Sequence, residues 1–436
     1  MDSSAPSSAR ARFTDVFKIE RAEVPVVAAG AAMFFLLFTG YFMLRPVRET
    51  MGIAGGVDNL QWLFTGTFVA TLVALPVFGW IASKVRRRHI LIWTYGFFAA
   101  NLTGFAAAFV ADPDNVWIAR AFYIWLSVFN LLAISLAWSV LADLMPASQA
   151  KRLFALIAGG ASAGGLTGPV LGTLLVAPIG HAGLLLLASV LLTASAGAAL
   201  WLHRWRDHNP LPQEETAPRT EPLGGHPLSG ATAVLRSGYL AGIALFVVLL
   251  AIVSTFLYFE QARLVAETFP DRTRQTQVFG MIDTFVQTCT ILIQIFLTGR
   301  IADRFGIGIL LVAVPLVMAA GFLWLAFAPV FAVLAVIMIV RRVGEYALVR
   351  PGREMLYTVA EPEEKYKAKN FIDTVIYRGG DAIGGWVKRG LDIMAEHPAL
   401  AMMIGTAVAL GWATTGAWLG RQERLREKSL AASSAI

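Results

Sequence analysis

Five stretches in the first half of this chain, Val24–Leu44, Leu60–Ser83, Ile90–Ala111, Val116–Leu141 and Leu153–Val176, are apolar almost without a break. Each holds roughly twenty residues or more. At about 1.5 Å of rise per residue, a helix of that length crosses about 30 Å of hydrocarbon. A sixth stretch is His181–His203. The second half adds Val234–Phe259, Val278–Thr298, Ile307–Ala328, Val330–Val349, Phe371–Met394 and Ala399–Gly420. These are blocks, not the one-sided stripe of a helix on a water-facing surface. Only 15% of the residues are charged and the mean hydropathy is +0.63. A surface wetted all round typically takes about 25% charged residues. The chain therefore reads as an all-α membrane protein of about twelve transmembrane helices.

Charge placement gives a topology. The net charge of +7 comes from basic residues in alternate loops: Lys84 and Arg86–Arg88, Lys151 and Arg152, Arg204 and Arg206, Arg219 and Arg236, Arg300 and Arg304, then Arg421–Lys428. The intervening loops, Ala111–Asn115, Ala177–Gly180 and Ala328–Val330, carry no Lys or Arg. That is the positive-inside pattern, and it puts both termini and the linker in the cytoplasm. The basicity is topological and does not point to nucleic acid. Met1–Glu23 is polar, and the apolar run behind it is too long for a signal-peptide core, so no cleavable leader is expected. Cys289 is the only cysteine, which excludes disulfides within the chain and Cys-based metal sites.

The chain repeats itself. Gly79-Trp-Ile-Ala-Ser-Lys returns 220 residues later as Gly299-Arg-Ile-Ala-Asp-Arg. Gly159-Gly-Ala-Ser-Ala-Gly-Gly returns at the same offset as Gly379-Gly-Asp-Ala-Ile-Gly-Gly. Two six-helix halves, 24–204 and 234–420, then flank a polar, flexible linker at 205–233, with tails at 1–23 and 421–436. Parallel repeats place a binding site between the halves near the bilayer midplane.

Gly299-Arg-Ile-Ala-Asp303-Arg304-Phe-Gly resembles the G-x-x-x-D-R-x-G loop signature of the major facilitator superfamily. The copy after the second segment is degenerate, with Ser83 at the acid position. Gly164-x-x-x-Gly168-Pro169-x-x-Gly172 is similar to that superfamily's antiporter motif. A narrower resemblance is to the ATP/ADP translocases of plastids and intracellular bacteria. Tyr41-Phe-Met-Leu-Arg45-Pro-Val-Arg48-Glu49 is similar to that family's first-helix motif. Ala150-Lys-Arg-Leu-Phe-Ala-Leu and Tyr346-Ala-Leu-x-x-Pro-Gly-Arg353-Glu354-Met-Leu-Tyr, followed by Lys365, Lys367 and Lys369, resemble two others. The chain departs from the family at two places: Trp125–Asn130 holds no acid, and Arg378-Gly-Gly-Asp381 stands where the carriers have R-x-G-K.

Charge inside hydrocarbon costs about 3 kcal/mol or more per residue, so it marks cavities and partners. Arg45, Arg48 and Glu49 share one helical face. They form either a clamp for phosphate or carboxylate, since guanidinium forks bind such groups bidentately, or a snorkelling helix end. Arg378 and Asp381, three apart, are an internal pair, or an anion ligand beside a carboxylate that carries a coupling proton. Asp283 and Gln287 form a weaker coupling candidate. Glu260 and Arg263 read as an interface pair, and Arg341, beside Arg342 and Glu345, as facing the headgroups. Asn130 and Trp138 are candidates to bond to and stack on a base, with packing the alternative for the tryptophan. Asp303 and Arg304 read as a gate tying helix ends. The glycine runs at 159–172 and 379–385 read as close helix packing.

Gly160-Ala-Ser-Ala-Gly164 fits the hydrolase elbow G-x-S-x-G only in composition, because that elbow needs a preceding strand. No Lys directly follows a Gly, so there is no P-loop, and H-E-x-x-H does not occur. The sequence thus points to a secondary transporter rather than an enzyme, needing no cofactor, monomeric, and moving a nucleotide or similar organic anion by alternating access. The alternatives are a proton-coupled carrier of another anion or metabolite and, from a different class, a transport-inactive sensor or scaffold.

Overall fold

The structure, a computed structural model, describes residues 23–84, 87–145, 147–209, 229–359, 368–394 and 398–434. The N-terminal tail before Glu23, Arg86, most of the expected linker, and the motif residues Lys365 and Lys367 lie outside the described residues. Among the described residues there is no strand. The helices are α1 (Val24–Ala54), α2 (Leu60–Lys84), α3 (Arg87–Ala111), α4 (Val116–Leu144), α5 (Ala147–His208), α6 (Ser229–Arg236), α7 (Gly238–Thr268) and α8 (Arg272–Ile293). They continue with α9 (Gly299–Phe305), α10 (Ile307–Phe327), α11 (Phe331–Gly344), α12 (Arg350–Leu356), α13 (Tyr377–Met394) and α14 (Pro398–Ser434).

Nine of the helical spans among the described residues are long and apolar enough to cross a membrane, and one of them, Arg152–His208, has the length for two crossings. The tenth and eleventh apolar blocks complete the set; they fall short on composition because they carry charge. Across the crossings large apolar side chains face outward; Leu174 and Val190 of α5 stand 66% and 64% exposed. Lipid accepts such a surface and water does not.

The fifth and sixth blocks join with no loop between them. Gly180 alone leaves the helix, at φ 67 and ψ 179, a conformation that a side chain would strain. Gly306, the last residue of the G-x-x-x-D-R-x-G signature, has φ 75. Its N–H closes α9 on Ala302 O at 2.8 Å, so the signature's terminal glycine is a helix stop between α9 and α10. Polar caps start other helices: Asn115 accepts from Trp117 N and Ile118 N, and Asp271 accepts from Arg274 N. The linker is shorter than the sequence implies, because α5 runs to His208 and α6 begins at Ser229. Likewise α1 extends ten residues past Leu44, through Arg45, Arg48 and Glu49.

By contact the chain divides into two compact units. One comprises Met1–Arg48, Val73–Ile118 and Trp125–Glu221; the other comprises Glu49–Leu72, Ala119–Ile124 and Pro222–Ile436. In the first, α5 lies on α1 with no side chain between them. A Cβ added at Gly160, Gly164, Gly168 or Gly172 would fall 2.2, 2.5, 2.7 or 2.9 Å from the carbonyl oxygen of Ala31, Phe35, Thr39 or Met43. Both series advance by four residues, so the seam follows one ridge of each helix. In the second unit the seam recurs between α13 and α7. A Cβ at Gly380 would lie 2.9 Å from the Ala251 side chain, and one at Gly384 would lie 3.1 Å from Ile252 Cα and 3.3 Å from Thr255 Cβ. Gly160 on Ala31 and Gly380 on Ala251 are the same contact at the 220-residue offset.

Three π-helical turns interrupt the second unit, at Gln294–Thr298, Glu345–Val349 and Ile372–Ile376. Pro351 accounts for part of the second. It has no N–H, so the carbonyl of Ala347 loses its helical donor. Thr298 Oγ1 donates to that oxygen at 2.8 Å instead, and Gln294 Nε2 donates to Tyr346 O at 3.1 Å. One π turn thus supplies the side chains that satisfy the other, as hydrocarbon requires.

The seam makes neighbouring glycines unequal. A Cβ at Gly159 would meet nothing within 4 Å. Gly159→Ala should be neutral or stabilising by up to about 1 kcal/mol, because alanine is the better helix former. Gly160→Ala should destabilise by roughly 1–3 kcal/mol, the cost of overpacking. Thermal unfolding of the purified protein in detergent would show the split; equal melting points would refute the backbone-to-backbone seam.

Candidate transport site

Buried charge in the second unit gathers on α7, α8, α11 and α13. Asp283 of α8 is 4% exposed and holds the guanidinium of Arg342 of α11, itself 5% exposed. Nε and Nη2 of Arg342 are buried with no hydrogen-bond partner among the described residues. Next along α11, Arg341 donates to Ser254 Oγ of α7 at 2.7 Å and to Glu345 at 2.8 Å. The headgroup reading of Arg341 is therefore wrong. It is 9% exposed and turned onto α7, because a hydroxyl and a carboxylate lie within reach. Glu345 opens the π turn and faces Arg350 at 3.8 Å.

Asp381 of α13 is 7% exposed. Thr255 Oγ1 donates to its Oδ1 at 3.4 Å, and Arg378 Nη1 approaches its Oδ2 at 3.5 Å. Both contacts are long for a carboxylate, since a tight ion pair sits near 2.8 Å. Asp381 directly follows Gly380, and Thr255 meets Gly384, so the carboxylate is seated by the glycine seam itself. The first half has the glycines without the charges: at the 220-residue offset Ala158 and Ala161 stand opposite Arg378 and Asp381. Gln287, one turn after Asp283, is half-buried.

The tyrosine-rich motif forms a second group in this unit. Arg353 pairs with Asp373 at 3.0 Å and Lys369 with Glu354 at 2.5 Å, joining the end of the tenth segment to the start of the eleventh. Arg353, Glu354 and Lys369 belong to the motif, whereas Asp373 lies outside it, so the pairing of Arg353 is not visible in the motif itself. Asp303 and Arg304 are exposed and, among the described residues, make no ion pair; Arg304 lies over the Phe305 ring.

In the first unit, Arg48 Nη1 donates to Ser127 Oγ of α4 at 3.2 Å. Ser127 is buried, and Asn130, three residues on, shares its face. Asn130 Oδ1 is buried and has no hydrogen-bond partner among the described residues. Arg45 is half-buried on the same α1 face as Arg48, and Glu49, next along the helix, falls in the second unit. Trp138 packs between helices: its ring centroid is 4.4 Å from that of Phe34 and 5.9 Å from that of Phe154. Ser127 and Ser254 were missed because a serine in an apolar run carries no signal until its partner is known.

Removing one member of a buried pair strands the other. Asp283→Asn leaves Arg342 charged and buried, and should destabilise by about 3–5 kcal/mol. The double variant Asp283→Leu, Arg342→Met should recover most of the loss. Expression level and melting temperature of the three proteins measure this, and a double variant no better than the single would contradict it.

The Major Facilitator Superfamily profile matches residues 27–344. No curated protein is significantly similar in sequence. Among solved structures, a bacterial homolog of the human lysosomal transporter Spinster, inward-facing and unoccupied, is 14% identical, with TM-score 0.55 over 94% of this chain and 98% of that one. A bacterial homologue of the iron transporter ferroportin, also inward-facing, is 13% identical, with TM-score 0.64 over 92% and 98%. A point mutant of the nucleoside transporter NupG is 14% identical, with TM-score 0.59 over 92% and 99%. These likenesses agree on fold, and the profile covers well over half the sequence: the chain belongs to the major facilitator superfamily and is an integral membrane protein of its secondary-transporter fold.

Proposed function

We propose that this protein moves an organic anion of the nucleotide class by alternating access, in the orientation that puts both termini in the cytoplasm of a bacterial inner membrane. Two six-helix halves, 24–204 and 234–420, are the repeating parts of that mechanism. The observation that carries the reading is the group formed by Arg48, Ser127 and Asn130. Ser127 takes one of the five N–H groups of a guanidinium, while the Asn130 carbonyl one turn away is a buried acceptor without a donor. A cationic fork beside a neutral acceptor matches a solute that joins phosphate to a base or sugar bearing N–H and O–H groups. Arg45, on the same face of α1, adds a second cation. The resemblance of Tyr41–Glu49 and Tyr346–Tyr357 to the ATP/ADP translocases supports the same class, as does a nucleoside transporter among the structural neighbours.

Proton coupling is the second reading, favoured by Asp381. Its carboxylate is buried, bonded at long distances to Thr255 and Arg378, and seated on the seam where α13 meets α7. A carboxyl so held can exchange a proton when the helices shift, and Arg378 would be released as it does.

The two are separated by reconstituting the protein in vesicles loaded with unlabelled ATP and following labelled ATP or ADP. Nucleotide carriage predicts saturable uptake, reduced about tenfold or more in Arg48→Ala, the scale of one lost charge-assisted hydrogen bond. Uptake that needs internal nucleotide and does not respond to a pH gradient identifies exchange. Accumulation driven by a pH gradient and lost in Asp381→Asn identifies proton coupling. No uptake by folded protein under either condition refutes the nucleotide reading.

A further inference from the structure

A cavity of about 510 Å³ opens in the second unit, lined by the turn that precedes α2, the C-terminal end of α7 and the C-terminal end of α13. Its edge on α13 begins at Lys388, two turns and about 10 Å beyond Asp381. The walls carry opposed charge. Arg263 bonds Glu260 on one side and Glu267 on the other. Lys388, only 4% exposed, bonds Asp392. Arg389 reaches Asp58 at 3.0 Å. Four acids thus face three bases, and the lining is left with one negative charge.

Two further features say what would balance it. Gln61 lines the cavity at 5% exposure, and its Oε1 is buried with no hydrogen-bond partner among the described residues. That oxygen accepts and cannot donate, so its missing partner is an N–H or O–H group. Phe259 contributes an aromatic ring and Ala266 and Val57 apolar surface to the same walls, and a ring face attracts cations. The volume falls in the range of small-molecule sites, about 300–1,000 Å³.

From this arrangement we infer that the cavity is a binding site for a small primary ammonium compound with an apolar body, whose N–H groups are taken by Gln61 and the surplus carboxylate. A ligand seated there touches α2, α7 and α13 together, so occupancy ties these three elements to one another.

Phenethylammonium, its N,N,N-trimethyl analogue and phenylpropionate are the probes, titrated calorimetrically into the full-length protein in nanodiscs. The first is expected to bind, the trimethyl analogue about tenfold or more weakly for want of N–H groups, and the carboxylate not at all. Gln61→Leu should weaken phenethylammonium by a similar factor and leave the trimethyl analogue unchanged. Should that variant fail to fold, Glu267→Gln, at an exposed side chain, removes the surplus charge and should weaken both cations. Absence of heat with phenethylammonium, binding of phenylpropionate equal to it, or unchanged affinity in the variant that folds would each overturn the assignment.

Discussion

In hydrocarbon every backbone group and every charge must find its partner within the protein, and the glycine seams decide where those partners can be. Where α5 rests on α1 the helices meet backbone to backbone, and where α13 rests on α7 the glycines meet the Ile252 backbone and the short side chains of Ala251 and Thr255. Neither contact leaves room for a large side chain, so charged groups lie at its margins. Asp381 is the clearest case. It sits beside Gly380, on the helix that rests on α7, and it takes the hydroxyl of Thr255, which lines the same seam.

The two halves use that frame differently. The first keeps the seam almost free of charge and places Arg45 and Arg48 past Leu44, where α1 continues to Ala54. The second concentrates charge beside the seam and distributes it over pairs of unequal tightness. Arg342 with Asp283, and Arg341 with Ser254 and Glu345, are close and buried, the geometry of a structural bond. Arg378 with Asp381 is long on both sides of the carboxylate. A strong buried pair resists motion, whereas a weak one can open at modest cost. The same unit holds three π turns, which recur at functional sites in helices, and one of them begins at Glu345.

Much of this was legible in the sequence. The apolar blocks marked the crossings, because length and hydropathy suffice for a helix that must satisfy its own backbone. The 220-residue repeat was legible too, and its physical content is one Gly-on-Ala contact made twice. What could not be read were partners far apart in the chain. Ser254 turns Arg341 inward across 87 residues, and nothing at the end of an apolar run distinguishes that arginine from one that snorkels. Asp283 finds Arg342 across 59 residues. Trp138 looked able to stack on a base, but Phe34 and Phe154 already flank it. Asp303 and Arg304 matched a loop signature, yet what the structure explains in that signature is its last glycine, which stops a helix. The break between the fifth and sixth crossings shrank to Gly180, because one residue with positive φ suffices to turn the chain.

The central claim is that the loose pair on α13 serves transport and not merely folding. Exchanging its charges, Arg378→Asp together with Asp381→Arg, tests that most directly, with melting temperature and nucleotide uptake by reconstituted protein read on the same preparation. The account predicts a protein that melts near the unaltered one and fails to transport, since the pair is restored while the carboxylate leaves Thr255. A swapped protein that transports normally would contradict it and reduce the pair to a structural bond.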